Sequence, residues 1–407
     1  MLSLIFALNA CQLEETHDGK GELADVATKA EFLDLHFTGT IITQKGERFS
    51  KQLKTQLLYS VGALADHGIY PKVGHAEILD TTLVKSDEFW DYWEYDVRLP
   101  VAWSKDYPKK ERLNLMLPTA ISEDLLQEFS SNYDEKCSLV QGSDYSMYYY
   151  YFRPYKEGCN LNPAVEKFVL EAEAVVKHSA SLSKENYPEY NRIWEDDVFR
   201  VVSLFDKHFE EDEDVAEGLE PGKHNFREFN NSILGTFVTH KSYQIDEGEE
   251  YFIVESVLDD GRRVQVVSLL VDNYYDTQEY FAQISQKTDL VIYNGHAGAG
   301  YGELHEFVDM GHWDPNQHLM MFLNGCETFA YLDQNPTFEN DANNSSTLDL
   351  DVLVNATPTY FLDMDAASIA LIGGLLSPEM ISYTELLEGI KTDQIVIVTG
   401  EENNQTP

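Results

Sequence analysis

Asp289-Leu290-Val291-Ile292-Tyr293-Asn294-Gly295 runs into His296-Ala297-Gly298, and His318-Leu319-Met320-Met321-Phe322-Leu323-Asn324-Gly325 runs into Cys326-Glu327-Thr328. Each stretch is a short apolar run closed by Asn-Gly and followed by a side chain capable of acid–base or nucleophilic chemistry. Unbroken apolar runs of this length mark strands covered on both faces. The glycines let the backbone approach a bound molecule closely. If the two strands are parallel neighbours, the imidazole and the thiol meet at the carboxyl edge of one sheet, where open α/β sheets gather their functional groups. A thiol beside an imidazole can become a thiolate, the nucleophile, and the imidazole can then protonate a leaving amine. Amides near His296 and at Cys326 suit an oxyanion hole.

Outward from these strands, residues 198–205 form another continuous apolar run, and an acidic loop spans 210–220. A helix is expected near 226–234. A hairpin is expected over 251–258 and 263–271, with Asp259-Asp260-Gly261 as its turn. Further strands are predicted at 351–354 and 395–398, and helices at 278–285, 366–376 and 383–390. Strands alternating with helices predict a doubly wound, mostly parallel α/β domain over residues 196–400, with a tail at 401–407.

The first half reads differently. Strands are expected at 35–43, 76–84, 89–103 and 112–117, helices at 50–65 and 123–129, and a tyrosine strand at 147–152. This predicts a smaller α+β domain over 31–160 with a mostly antiparallel sheet and no catalytic constellation. Pro163 is expected to open a helix carrying Val165, Phe168, Val169, Ala172 and Val176, and 178–188 to be a linker, so 161–195 joins the two domains.

The first eleven residues are apolar and end in Leu8-Asn9-Ala10-Cys11, the form of a signal-peptide core and a bacterial lipobox, although no Lys or Arg precedes it. Cys11 is then the lipidated residue, 12–30 a tether, and the protein an exported one held at the cell envelope by an N-terminal lipid. The other reading is a frayed apolar N-terminus. Beyond residue 11 no window reaches the roughly 20 apolar residues of a membrane span. Cys137 and Cys159 flank the tyrosines and are expected to form a disulfide in an oxidising compartment. Cys326 is left unpaired, as a reactive thiol or as a buried small hydrophobe. With 29 basic against 71 acidic residues the net charge is −42, which repels phosphate backbones and excludes a nucleic-acid partner. That field attracts basic peptides or cations, or serves solubility alone.

At His296 and Cys326 the chain resembles the caspase-like clan of cysteine peptidases, which includes caspases, legumain, clostripain and gingipains. In that clan one hydrophobic strand ends in the catalytic His and a later one in the catalytic Cys. Here the His precedes the Cys by 30 residues, most like the gingipain-type members. The resemblance implies His296 as general acid/base, Cys326 as nucleophile, and the Ala297 and Cys326 amides as oxyanion donors, with a peptide or protein substrate and no cofactor. Two departures stand out: Ala297 follows the His where the clan has Gly, and Glu327 follows the Cys where it has a small residue. Glu327, Asp363 and Asp365 are candidate pocket carboxylates that would favour Arg or Lys. Asp363 and Asp365 read equally well as the start of a helix. Two alternatives remain. One is a zinc-dependent hydrolase drawing on His296, His305, His312, His318 and Cys326, with Glu303 and Asp314 nearby, although no spacing matches a zinc motif. The other is a non-catalytic envelope lipoprotein with a binding role.

Overall fold

The computed structural model describes residues 25–140, 148–162, 169–178, 186–207, 220–237, 242–248, 250–271, 284–297, 318–332, 350–359 and 363–399. Two sheets carry the chain. In the first, β1 (Ala30–Gln44) and β4 (Trp90–Ser104) pair antiparallel along their whole length, Ala30 against Ser104 and Gln44 against Trp90. β2 (Ile69–Pro71) and β3 (Glu77–Ser86) lie along β4, and β6 (Val169–His178) joins β1 to β5 (Arg112–Pro118). Every pairing in this sheet is antiparallel.

Helix α1 (Phe49–Ala65) packs on this sheet through Leu53, Leu57, Leu58, Val61 and Leu64, the three-and-four spacing of an amphipathic helix. Its buried Gln56 donates to the Thr40 and Pro118 carbonyls at 2.9 and 2.7 Å and accepts the Tyr95 hydroxyl at 2.8 Å. A buried amide so satisfied admits one seating of helix on sheet. α2 (Glu123–Cys137) and α3 (Tyr148–Tyr151) follow. Tyr59, Phe129, Tyr148 and Phe152 stack there with ring centroids 5.6 to 6.4 Å apart. The Cys137–Cys159 disulfide closes the segment that contains α3.

The second sheet has the order β14-β13-β12-β11-β7-β10-β9-β8. Its strands are β7 (Val198–Asp206), β8 (Ser242–Glu247), β9 (Tyr251–Val257), β10 (Arg263–Val271), β11 (Leu290–Asn294), β12 (Leu319–Asn324), β13 (Leu350–Asn355) and β14 (Val396–Thr399). Helix α4 (Tyr190–Ile193) precedes β7 and α5 (Pro221–Phe237) follows it; later come α6 (Thr328–Tyr331), α7 (Met364–Leu375) and α8 (Tyr383–Gly389). Side chains alternate strictly between two faces. Phe199, Val201, Phe205, Ile292, Phe322 and Leu353 join the core under α5, α7 and α8. Val202, Leu204, Val291, Met321, Leu323 and Val354 face Ala30, Phe32, Tyr70 and Ala102 of the first sheet. The continuous apolar runs therefore arise from helices on one side and a second sheet on the other.

This corrects the expected doubly wound, mostly parallel, caspase-like architecture. The core strands β13, β12, β11, β7 and β10 are parallel neighbours. β14 closes one edge antiparallel, and β9 and β8 close the other. Among the described residues, eight of the twelve strand pairings across both sheets are antiparallel, so the fold is mixed α/β rather than mostly parallel. Among the described residues the second face carries a sheet where a doubly wound fold carries helices. The first half is correspondingly no small appendage, since its strands β1, β2 and β4 pack on that face.

Two local expectations are also corrected. The tyrosine stretch is the helical turn α3 rather than a strand. Of the helix expected from Pro163, residues 163–168 lie outside the described residues, and the rest is strand β6. Leu170-Glu171-Ala172-Glu173-Ala174 is rich in helix formers but alternates with period two. Pairing with β1 and β5 on either side overrides the propensity.

Residues 25–29 are packed down. Val26 pairs with Val398, Lys29 caps the carbonyls of Ile390, Thr392 and Gln394, and buried Lys72 bonds Asp25 at 3.0 Å and the Thr399 hydroxyl at 2.8 Å.

Candidate active site

Four parallel strands end side by side, at Asp206, Asn294, Asn324 and Asn355. Asn294 and Asn324 are register partners, so His296 and Cys326 each lie two residues past the same rung of adjacent strands. The three asparagines form a buried ladder: Asn355 donates to Asn324 at 2.9 Å, and Asn324 donates to Asn294 at 2.8 Å. Ser203, Ser368 and Thr359 engage its members at 3.1, 2.8 and 2.8 Å. Amides chained in one direction polarise one another and hold the strand ends in register.

Glycine is required at both exits. A Cβ on Gly295 would fall 2.5 Å from Asp206 Cβ, and one on Gly325 would fall 2.9 Å from the Gly295 carbonyl oxygen and 3.3 Å from the Ala297 nitrogen. The two exits thus touch. On the β11 side the Tyr293 hydroxyl donates to the His296 carbonyl at 2.9 Å, and Asp206 accepts weakly from the Tyr293 hydroxyl and the His296 amide, both at 3.5 Å.

On the β12 side the Cys326 sulfur lies 3.5 Å from the Thr359 carbonyl oxygen and accepts the Tyr150 hydroxyl of α3. Burial pushes the thiol up, the Thr359 backbone and Tyr150 pull it down, and the neighbouring Glu327 pushes it up again. The sulfur is half-buried, and its thiol lies above the ordinary value.

Glu327 is the most unusual residue here. It is 2% exposed, its backbone is left-handed at φ 51°, and among the described residues its Oε2 has no hydrogen-bond partner. Burial raises its carboxyl to about 8 against the opposing charge of Arg153. Its charge in turn raises the phenols of Tyr70, Tyr150 and Tyr331, all of them governed first by burial. Strained backbone and an unsatisfied buried acid together mark functional sites more often than scaffolding. Next to it the Tyr149 and Tyr331 hydroxyls meet at 3.2 Å, and Phe329 packs under Lys72 and against Phe32. The first half of the chain is therefore the roof of the site.

The remaining expected residues fall elsewhere. Asp363 precedes α7 without capping it through its side chain, and Asp365, in the first turn, faces Glu228 and His224 of α5. Burial raises the Asp365 carboxyl. His318 enters β12 from the opposite end, with Glu189 at 2.6 Å and Asp351 at 3.8 Å. Six strand residues put it about 20 Å from Cys326, so the two cannot share one ion. Among the described residues no cluster of three metal-ligating side chains occurs. Cys11, Gly298, Glu303, His305, His312 and Asp314 lie outside the described residues. The Cys137–Cys159 disulfide forms as the spacing suggested, and it is compatible with an exported protein. No described helix is long and apolar enough to cross a membrane.

Sequence reasoning passed over Asn355, Tyr150 and Arg153. Asn355 carried a signal, since residues 350–355 end in Asn as the β11 and β12 runs do. Tyr150 and Arg153 carried none, because they reach Cys326 and Glu327 from a distant part of the chain.

No family model, curated protein or solved structure matches this chain.

Proposed function

We propose that the chain is a cysteine endopeptidase with Cys326 as nucleophile and His296 as general acid/base. The observation that carries this reading is the Asn294–Asn324 rung, which sets both residues at equal distance past adjacent parallel strands. The His-before-Cys order shared with the caspase-like clan supports the same roles.

In this reading the Cys326 proton passes to His296 as sulfur attacks the scissile carbonyl carbon. A C–S bond forms, and the Ala297 and Cys326 amides hold the oxygen that takes the charge. Collapse breaks the C–N bond, and His296 gives its proton to the leaving amine. Water, deprotonated by His296, then releases the acid and restores the thiol. A peptide must displace Tyr150 to reach the sulfur. The acidic chain favours basic peptides for long-range attraction. The disulfide and the lipobox-like Cys11 support an exported, lipid-anchored protein, and Cys11→Ser should release it from membranes.

The test is cleavage of peptides containing Arg, Lys, Asp or Asn by purified protein under reducing conditions. Cys326→Ala and a thiol alkylator should abolish turnover, and a chelator should leave it intact. His296→Ala should match Cys326→Ala, with the double variant little worse, because the pair acts as one unit. Chelator sensitivity would move the reading to a metal hydrolase. No cleavage of any peptide would leave a binding protein.

A further inference from the structure

We propose that the pocket between the C-terminal turn of α1 and the start of β5 is a binding site for a small phosphate-type oxyanion. The cavity holds about 300 Å³ and is lined by His67, Lys110, Arg112, Leu113, Asn114 and Tyr155. Acids outnumber bases 71 to 29 along the chain, yet none of these six residues is acidic and three carry basic nitrogen.

The three nitrogen groups are only partly neutralised. Among the described residues Lys110 forms no ion pair. Arg112 bonds Glu173 at 2.8 Å, but both side chains are more than half exposed, so the pair is weak. The guanidinium keeps further N–H donors for a second oxyanion. The His67 ring stands 5.5 Å from the Tyr155 ring, and the Tyr155 hydroxyl is tied to the Asn114 carbonyl at 2.6 Å, which makes the aromatic wall rigid. Asp66, the acid beside His67, is engaged by Arg153 at 3.3 Å. His67 itself is held below the usual imidazole range by burial first and by Lys110 second, with Asp66 opposing, and a bound anion would favour its protonation. A fork of guanidinium donors beside a point-charge ammonium matches a tetrahedral oxyanion. The chain's overall charge repels anions at a distance, so recognition depends on these short-range contacts.

Titration of the full chain with inorganic phosphate at pH 6.5, against sodium chloride of equal ionic strength, tests this directly. Calorimetry should show saturable binding, and the His67 ring resonances should shift along the same isotherm. The double variant Lys110→Gln/Arg112→Gln, at exposed positions, should keep the wild-type circular dichroism and lose affinity tenfold or more. Lys85→Gln, on β3, should bind as wild type. A response that chloride reproduces, or that survives in the double variant, overturns the proposal, as does the absence of saturation.

Discussion

Glu327 joins three unusual properties in one residue: a buried carboxyl, an orphaned oxygen and a left-handed backbone. Each costs stability, and the site retains all three beside the only unpaired cysteine described. The sign of its pH effect follows from its raised pKa. The folded protein holds this proton up to about 8, whereas an unfolded chain releases it near the ordinary value of 4.5. Stability from this group is therefore full at acid pH and is lost as pH climbs through that interval. Glu327→Gln keeps the shape and removes the titration. It should stabilise the protein by about 2–4 kcal/mol at pH 8 and hardly at all at pH 5. Denaturant melts at the two pH values measure this, and an equal effect at both would show that the carboxyl is not the cause.

Gly62 decides how α3 meets α1. Alanine in a helix normally stabilises relative to glycine by about 0.5–1 kcal/mol. Here a Cβ would fall 2.5 Å from the carbonyl oxygens of both Tyr149 and Phe152, backbone atoms that cannot swing away. Gly62→Ala should therefore destabilise by about 2 kcal/mol and displace α3. Displacement lifts Tyr150 from the sulfur, so Cys326 should react faster with iodoacetamide than in the parent. The disulfide acts on the same element from the other end. Replacing Cys137 and Cys159 with serine should cost about 3 kcal/mol and raise Cys326 alkylation roughly tenfold, as local opening becomes easier. Unchanged alkylation in both variants would mean that α3 does not guard the thiol. At this scale the sequence was legible where period and burial agreed, as in α1, β4 and the β9–β10 hairpin. It misled at β6 and α3. In β6 the helix-forming residues Ala and Glu were conscripted by two flanking strands. In α3 a tyrosine run served an aromatic cluster rather than a sheet.

For the whole molecule, charge and buried acids act together. A net charge of −42 repels itself, more so as pH rises. Asp289, raised by burial to about 7, adds a loss of stability with rising pH in the same sense as Glu327. Half-buried His75 acts in the opposite sense. Its folded value is lowered by burial to about 3, so an unfolded chain takes up that proton first as pH falls below 6.5, and stability drops. Between about pH 4.5 and 6.5 two carboxyls lose stability while one imidazole gains it, so from these groups the melting temperature should peak at roughly pH 4–5 and fall on both sides. Added salt should raise it most at pH 8. A melting temperature that keeps rising from pH 6 to pH 9 would contradict this balance.

The chain alone determined the strands that end in His296 and Cys326, most of the helix positions, and the Cys137–Cys159 pairing. Each depends on local period, local turn chemistry or short separation, which a linear reading can see. Asn355 lay at the margin, a third strand-end amide without the glycine that flagged the other two. Only the tertiary structure decided what covers the apolar strands. Two-faced burial demands a cover, but its hydrophobic pattern is the same under a helix or a sheet, and here one side received the antiparallel sheet of the first half. That choice brought Tyr150 and Arg153 over Cys326 and Glu327, across more than 170 residues of chain. Contacts at that separation leave no periodic trace, because they are set by how the two sheets dock.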